Sequence, residues 1–215
     1  MIYKFTGNLA NYISVNIGTG YKAHPLVKNN EDRFYSFRFP LKASITDTTL
    51  IKDSDLPNAN PTDTTTELNI TKGFKVPLAQ GTSDAVKGEK IVSNAFAGMD
   101  RLVFNTYIPY VGEKASSCYP IVGTQRTYYF SLSKGFSLLK TGFTEVTPST
   151  LPLDVVAYCN ANYCSIISSM NELSDSVGEP NSKLKLVDAQ FFEKNEGGLA
   201  KKTTWTDLFS PAVIK

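Results

Sequence analysis

Apolar and polar positions alternate with the period of a β-strand in several short runs. In QRTYYFSL, Tyr128, Phe130 and Leu132 alternate with Thr127, Tyr129 and Ser131, and Leu184 and Leu186 alternate with Lys183 and Lys185; each run is expected to bury one face. NYISVNIG, DRFYSFRF, DRLVFNTYIPY, DVVAY, CSIISSM and SKLKLVDAQFF share the enrichment in aromatic and β-branched residues that strands favour. The pattern predicts strands at about Asp32 to Phe39, Arg101 to Ile108, Arg126 to Leu132 and Lys183 to Val187. Helical periodicity is weak, with TLIKDSDL and the terminal WTDLF the only segments that read as helical turns. Connections such as DSDLPNANPTDTTTE and GFTEVTPSTLPLD are rich in turn formers and read as loops. The expected fold is therefore all-β, sandwich or propeller, and strand spacing alone does not choose between them. DRFYSFRF and QRTYYFSLSKG align as equivalent strands of two blades would, without a cleaner repeat.

The chain has 215 residues, 41% apolar and 20% charged, enough for one packed domain or two small ones. Its 22 Lys and Arg nearly balance 20 Asp and Glu, for a net charge of +2, and without a dense basic block no nucleic-acid partner is expected. No run of 18 apolar residues occurs, so no transmembrane helix is expected. MIYKFTGNLANYISV lacks the features of a secretion signal, so export would rely on a signal lying upstream. Of the three cysteines, Cys118, Cys159 and Cys164, the last two form a C-x4-C spacing in YCNANYC. With one histidine in the chain, a four-ligand zinc site is poorly supplied. Two short strands around Asn160, Ala161 and Asn162 would make a Cys159–Cys164 disulfide geometrically feasible, leaving Cys118 unpaired or as an alternative partner.

No catalytic motif stands out. His24 lies between Ala23 and Pro25 at a turn, without a nucleophile elbow or a metal-binding histidine pair, and is expected to pack on an aromatic neighbour such as Tyr21. Gly18 and Gly20 in GTGY lack the third glycine and following helix of a phosphate loop; positive φ or close backbone approach at a strand end is the simpler role. Asp32–Arg33 and Asp100–Arg101 each open an aromatic strand, the acid expected to cap a turn and the base to pair with a neighbouring blade. Asp53, Asp55, Asn58, Asn60 and Asp63 are rich in oxygen but lack the glycine and terminal glutamate of a calcium loop, and read as a solvated loop. Tyr107, Tyr110, Tyr119, Tyr128 and Tyr129 either pack between blades or line a contact surface, with Tyr107, Tyr110 and Tyr119 the candidates for exposed contacts. Asn69-Ile70-Thr71 fits the N-glycosylation pattern.

Four segments resemble, in order, the C-terminal β-propeller of the PilC/PilY family of type IV pilus tip-associated proteins. They are GTGYKAHPL with DRFYSFRF, GEKIVSNAFAGMDRLVFNTYIPY, GTQRTYYFSLSKG and the closing KKTTWTDLF. The resemblance implies that residues 1–215 are the C-terminal portion of a modified propeller with propeller-type blades, which would leave sheet edges open without the rest. It implies a non-enzymatic role in pilus assembly, control of retraction, twitching motility and attachment. The partners it implies are minor pilins at the pilus tip and a host or abiotic surface, and the location is the pilus tip, cell surface or outer membrane of a bacterium. Calcium is possible in the parent protein, but no cofactor is expected in this segment. A carbohydrate-binding β domain and a quinoprotein-like propeller enzyme are the alternatives; the latter uses repeated tryptophan motifs, whereas Trp205 is the sole tryptophan.

Overall fold

The computed structural model describes residues 2–4, 12–40, 50–78, 88–98, 100–109, 123–149, 151–159, 163–172, 184–193 and 201–203. These residues are almost entirely β, in three four-stranded antiparallel sheets, each a run of consecutive strands. The first contains β1 (Ile2–Lys4), β2 (Tyr12–Gly18), β3 (Arg33–Pro40) and β4 (Gly73–Pro77). The second contains β5 (Phe96–Gly98), β6 (Arg101–Ile108), β7 (Gly123–Ser131) and β8 (Phe143–Ser149). The third contains β9 (Val156–Cys159), β10 (Tyr163–Glu172), β11 (Leu184–Glu193) and β12 (Lys201–Thr203). All four strands expected from periodicity are present. DRFYSFRF and QRTYYFSL occupy the same place, each the third strand of its sheet.

The second sheet lies in the middle because both of its faces are apolar. From one face Leu102, Phe104, Tyr128 and Phe130 pack on Phe34, Phe74 and Val76 of the first sheet. Phe34 stacks on Phe104 with ring centroids 4.2 Å apart, and Phe104 stacks in turn on Tyr128 at 5.2 Å, an offset geometry that adds to simple area burial. From the other face Val103 and Tyr129 pack on Val155 and on Ile166 of β10. The expectation that β7 buries only one face is thus corrected. Thr127, Tyr129 and Ser131 are as buried as Tyr128 and Phe130: Tyr129 packs on Ile166 of the third sheet, while Thr127 bonds Asn105 and Ser131 bonds Asp100.

The helical reading of TLIKDSDL reduces to a single 3-10 turn, Asp53–Asp55, and WTDLF lies outside the described residues. Among the described residues no helix is long and apolar enough to cross a membrane.

A carboxylate is sealed into this core. Glu89 is fully buried and accepts hydrogen bonds from the Thr106 hydroxyl at 2.6 Å and the Tyr128 hydroxyl at 2.8 Å. The Arg126 guanidinium approaches it at 3.4 Å while also binding Glu145 at 2.8 Å and lying 4.1 Å over the Phe143 ring. Burial works to lower the Arg126 pKa, but the Glu145 hydrogen bond and the Glu89 charge outweigh it and hold the group above its ordinary value. Burial, reinforced by the Glu89 carboxylate, pushes the Tyr128 phenol far above its usual range.

Replacing Arg126 by Ala leaves this carboxylate without its cation, and is expected to destabilise the fold by about 3–5 kcal/mol. The double change Glu89→Gln/Arg126→Ala should recover much of that, because a neutral amide needs no counter-charge. Denaturant unfolding of the three proteins tests the pair; an Arg126→Ala protein as stable as the parent would show that the ion pair carries no stability.

Candidate functional site

The turn between β2 and β3 is built on Thr19. Its backbone N–H donates to the Arg33 carbonyl at 2.9 Å, and its hydroxyl accepts from Arg33 N–H at 2.7 Å and donates to Asp32 Oδ1 at 2.9 Å. Asp32 therefore takes a hydroxyl, correcting the expectation that it caps backbone amides. Asp100 does cap them: at φ 56° its carboxylate accepts from Ser133 N–H at 2.6 Å and from the Ser131 hydroxyl at 3.0 Å. Arg33 pairs with Glu31 at 4.0 Å and Asp53 at 3.5 Å, both in the loops flanking its own strand rather than in a neighbouring sheet.

The segment Gly88–Ile91 docks against this turn. Ile91 N–H donates to the Thr19 carbonyl at 3.1 Å, and Gly20 approaches Ile91 so closely that a Cβ at position 20 would overlap the Ile91 carbonyl oxygen. Of the two roles expected of this glycine pair, close approach is the one the contacts with Ile91 show. Lys90, fully buried, donates its ammonium to the Val27 carbonyl and exchanges two backbone hydrogen bonds with Tyr107, at 3.0 and 2.8 Å. Burial lowers the Lys90 pKa and the Asp32 charge partly opposes that shift. His24 caps the outside of the turn: its ring lies 4.9 Å from that of Tyr21, the neighbour expected for it.

Tyr107 cannot serve as an exposed contact. It is only 3% exposed, its hydroxyl pKa is raised by burial, and its ring lies against the backbone of Gly123 on the paired strand. It is buried because both faces of this sheet are covered. Tyr110 and Tyr119, the other two candidates for the binding surface, lie outside the described residues, as does Cys118.

The acidic loop holds its own partners. Asp53 is gripped by Lys75 and accepts from the Tyr35 hydroxyl at 2.9 Å, and its pKa is lowered by these bonds. Asp55 pairs with Lys72 at 3.0 Å. Asp63 accepts from the backbone N–H groups of Thr65 and Thr66 at 2.9 and 3.0 Å, which hold its carboxyl down at about 2.

A cleft of about 550 Å³ opens beside the docked segment, with Asn16, Ile17 and Gly18 at the end of β2, Phe34, and Ser93 to Ala95 around it. Its wall is held across the sheets by Asp154, which accepts from Asn94 N–H at 2.6 Å and from the Asn94 carboxamide at 2.8 Å, and by Val155 N–H donating to the Asn94 carbonyl at 3.2 Å. These bonds lower the Asp154 pKa. Cleft and wall were missed from sequence, since nothing in SNAF marks Asn94 as the partner of a residue sixty positions away.

In the third sheet β9 and β10 pair so that Cys159 and Cys164 are directly opposed Cα partners. Opposed residues in an antiparallel pair have Cα atoms about 4.5–5.5 Å apart, within the range a disulfide spans. No family model, curated protein or solved structure matches the chain.

Two outcomes follow from this geometry. Under oxidising conditions Cys159 and Cys164 are expected to bond to each other, so peptide mapping without reduction should recover one fragment joining them; a Cys118 linkage instead would overturn that pairing. The folded Asp63 pKa of about 2 lies below the value of about 3.9 for an unfolded aspartate. Its stabilising contribution is therefore present above pH 4 or so and lost as pH falls through about 2. Asp63→Ala should flatten that part of a stability-versus-pH profile, and an unchanged profile would show that the loop does not report on folding.

Proposed function

We propose that this chain is a propeller-type segment of a PilC/PilY-like type IV pilus factor, acting by docking rather than by catalysis. The observation that carries the reading is that segments on which the resemblance rests form one contact unit. GTGY meets GEKI through Thr19, Gly20 and Ile91, and GEKI meets GTQRTYYF through Glu89, Tyr128 and Arg126. Such contact between the matched segments is what a shared fold requires of them.

Stacked four-stranded meanders support the propeller reading, because they are the repeating unit of that architecture. So does the outer face of the first sheet. There Ile13 faces Phe39, Val15 faces Phe37 and Ile17 faces Tyr35 as cross-strand partners, and Tyr35, Phe37 and Phe39 run on as a ladder of rings. Ile17 and Phe39 are 50% and 43% exposed. In a propeller a further blade covers such a face. On this reading the protein is exported to the pilus tip or cell surface, engages minor pilins and contributes to assembly, control of retraction, twitching motility and attachment. Calcium in the parent protein is assigned to no residue of this segment.

A carbohydrate-binding β domain is the second reading, favoured by the cleft beside Ser93. The two separate cleanly in a binding assay. Immobilised chain should retain purified minor pilins, and His24→Ala should retain them equally well, since the His24 ring lies tilted against Tyr21 within its own turn. Failure to bind any minor pilin would overturn the docking role, and loss of binding in a folded His24→Ala protein would reveal a site at that turn.

A further inference from the structure

Leu68 to Thr71 lies in the loop that leads into β4, and its side chains alternate between core and solvent. Leu68 packs on the apolar core and Ile70 is buried in it, while Asn69 and Thr71 are exposed. The backbone is fixed on either side of Asn69: Leu68 N–H donates to the Lys134 carbonyl at 3.0 Å, and Gly73 N–H to the Ile70 carbonyl at 3.0 Å. On the outward side of this anchored loop the Thr71 hydroxyl donates to Asn69 Oδ1 at 2.8 Å. The Asn69 carboxamide nitrogen takes no hydrogen-bond partner among the described residues.

Asn69-Ile70-Thr71 is the chain's single Asn-x-Ser/Thr triplet whose middle residue is not proline, the pattern of asparagine-linked glycosylation. A carboxamide nitrogen is a weak nucleophile, its lone pair delocalised into the carbonyl as in a peptide bond, so an acceptor must be reachable and held in one orientation. Burial of Ile70 meets the first requirement by leaving Asn69 outside, and the Thr71 hydroxyl meets the second. Asn60-Pro61-Thr62 offers a comparison within the same chain. Asn60 is exposed and accepts from the Thr62 hydroxyl at 3.0 Å, but Pro61 locks the backbone between them, and the pattern excludes proline there.

We propose that Asn69 is an acceptor for an oligosaccharide carried on a lipid pyrophosphate. Asn69 Nδ2 attacks the anomeric carbon of the donor's first sugar, and the bond from that carbon to the pyrophosphate oxygen breaks. The lipid pyrophosphate leaves with the electron pair, and one Nδ2 proton passes to a base of the transferase; the product is an N-glycosidic bond, with no change of oxidation state. In the cell this step rests on the export part of the pilus reading. The acceptor property of the folded chain does not, and pilin binding can fail with it intact.

The test is incubation of the whole folded chain with a purified asparagine-linked oligosaccharyltransferase and a lipid-linked oligosaccharide, read by intact mass and peptide mapping. One glycan should be added, at Asn69 and not at Asn60. Asn69→Gln should abolish the addition and leave the melting temperature unchanged, since the side chain is exposed. Thr71→Ala should slow transfer by about tenfold, the worth of one hydrogen bond, and Thr71→Ser should restore it. A folded chain left unmodified, whether or not a free peptide of residues 65–75 is modified, would overturn the proposal. So would a glycan at Asn60, or transfer to Thr71→Ala at the full rate.

Discussion

A buried carboxylate must be neutralised or fully hydrogen-bonded, and Glu89 imposes that requirement on the centre of the molecule. Its partners come from two strands: Thr106 on β6, and Tyr128 and Arg126 on β7. Each must hold its position for the buried carboxyl group to keep its hydrogen bonds. The same segment carries Lys90, whose ammonium reaches back to Val27, and Ile91, which fits against Gly18 and Gly20. The short stretch from Gly88 to Ile91 thereby ties the first sheet to the second through polar contacts, where Phe34 and Phe104 tie them through apolar ones.

This division of labour explains why the middle sheet tolerates so many buried polar side chains. Asn105 donates to the Leu153 carbonyl at 2.9 Å and accepts from the Thr127 hydroxyl at 2.8 Å. These bonds fix the register between layers, which apolar packing alone specifies loosely because one aliphatic side chain substitutes readily for another. Arg38 serves similarly at the edge, bonding the Leu132 carbonyl while lying 4.5 Å over the Tyr12 ring.

Much of the strand content was legible from composition, since runs such as DRLVFNTY and QRTYYFSL leave little alternative. Which faces are buried was not. Period-two alternation tells a reader that two faces differ, but Tyr129 looks as suited to solvent as to a second interface, and only the presence of the third sheet decides. Tyr107, offered as a contact for its side-chain type, is buried on the same sheet. The burial of Glu89 and Lys90 was equally hidden: two adjacent charges beside a glycine have the composition of a surface turn, and their partners lie at positions that no local pattern connects. The His24–Tyr21 contact was readable because both residues belong to one turn. The cleft wall, made by Asn94 and Asp154, was not.

The meander connectivity has a kinetic side. Every strand pair within a sheet joins neighbours in the chain, so each sheet can close its ladders through local loops before any contact between sheets is needed. The non-local work is confined to stacking, where Ile91 must find Thr19 and Asn94 must find Asp154. Pairing that is local within layers and distant only between them keeps most of the loop-closure entropy out of strand formation. It also suits a chain that emerges from the ribosome one end first, with each completed sheet offering a surface on which the next can condense.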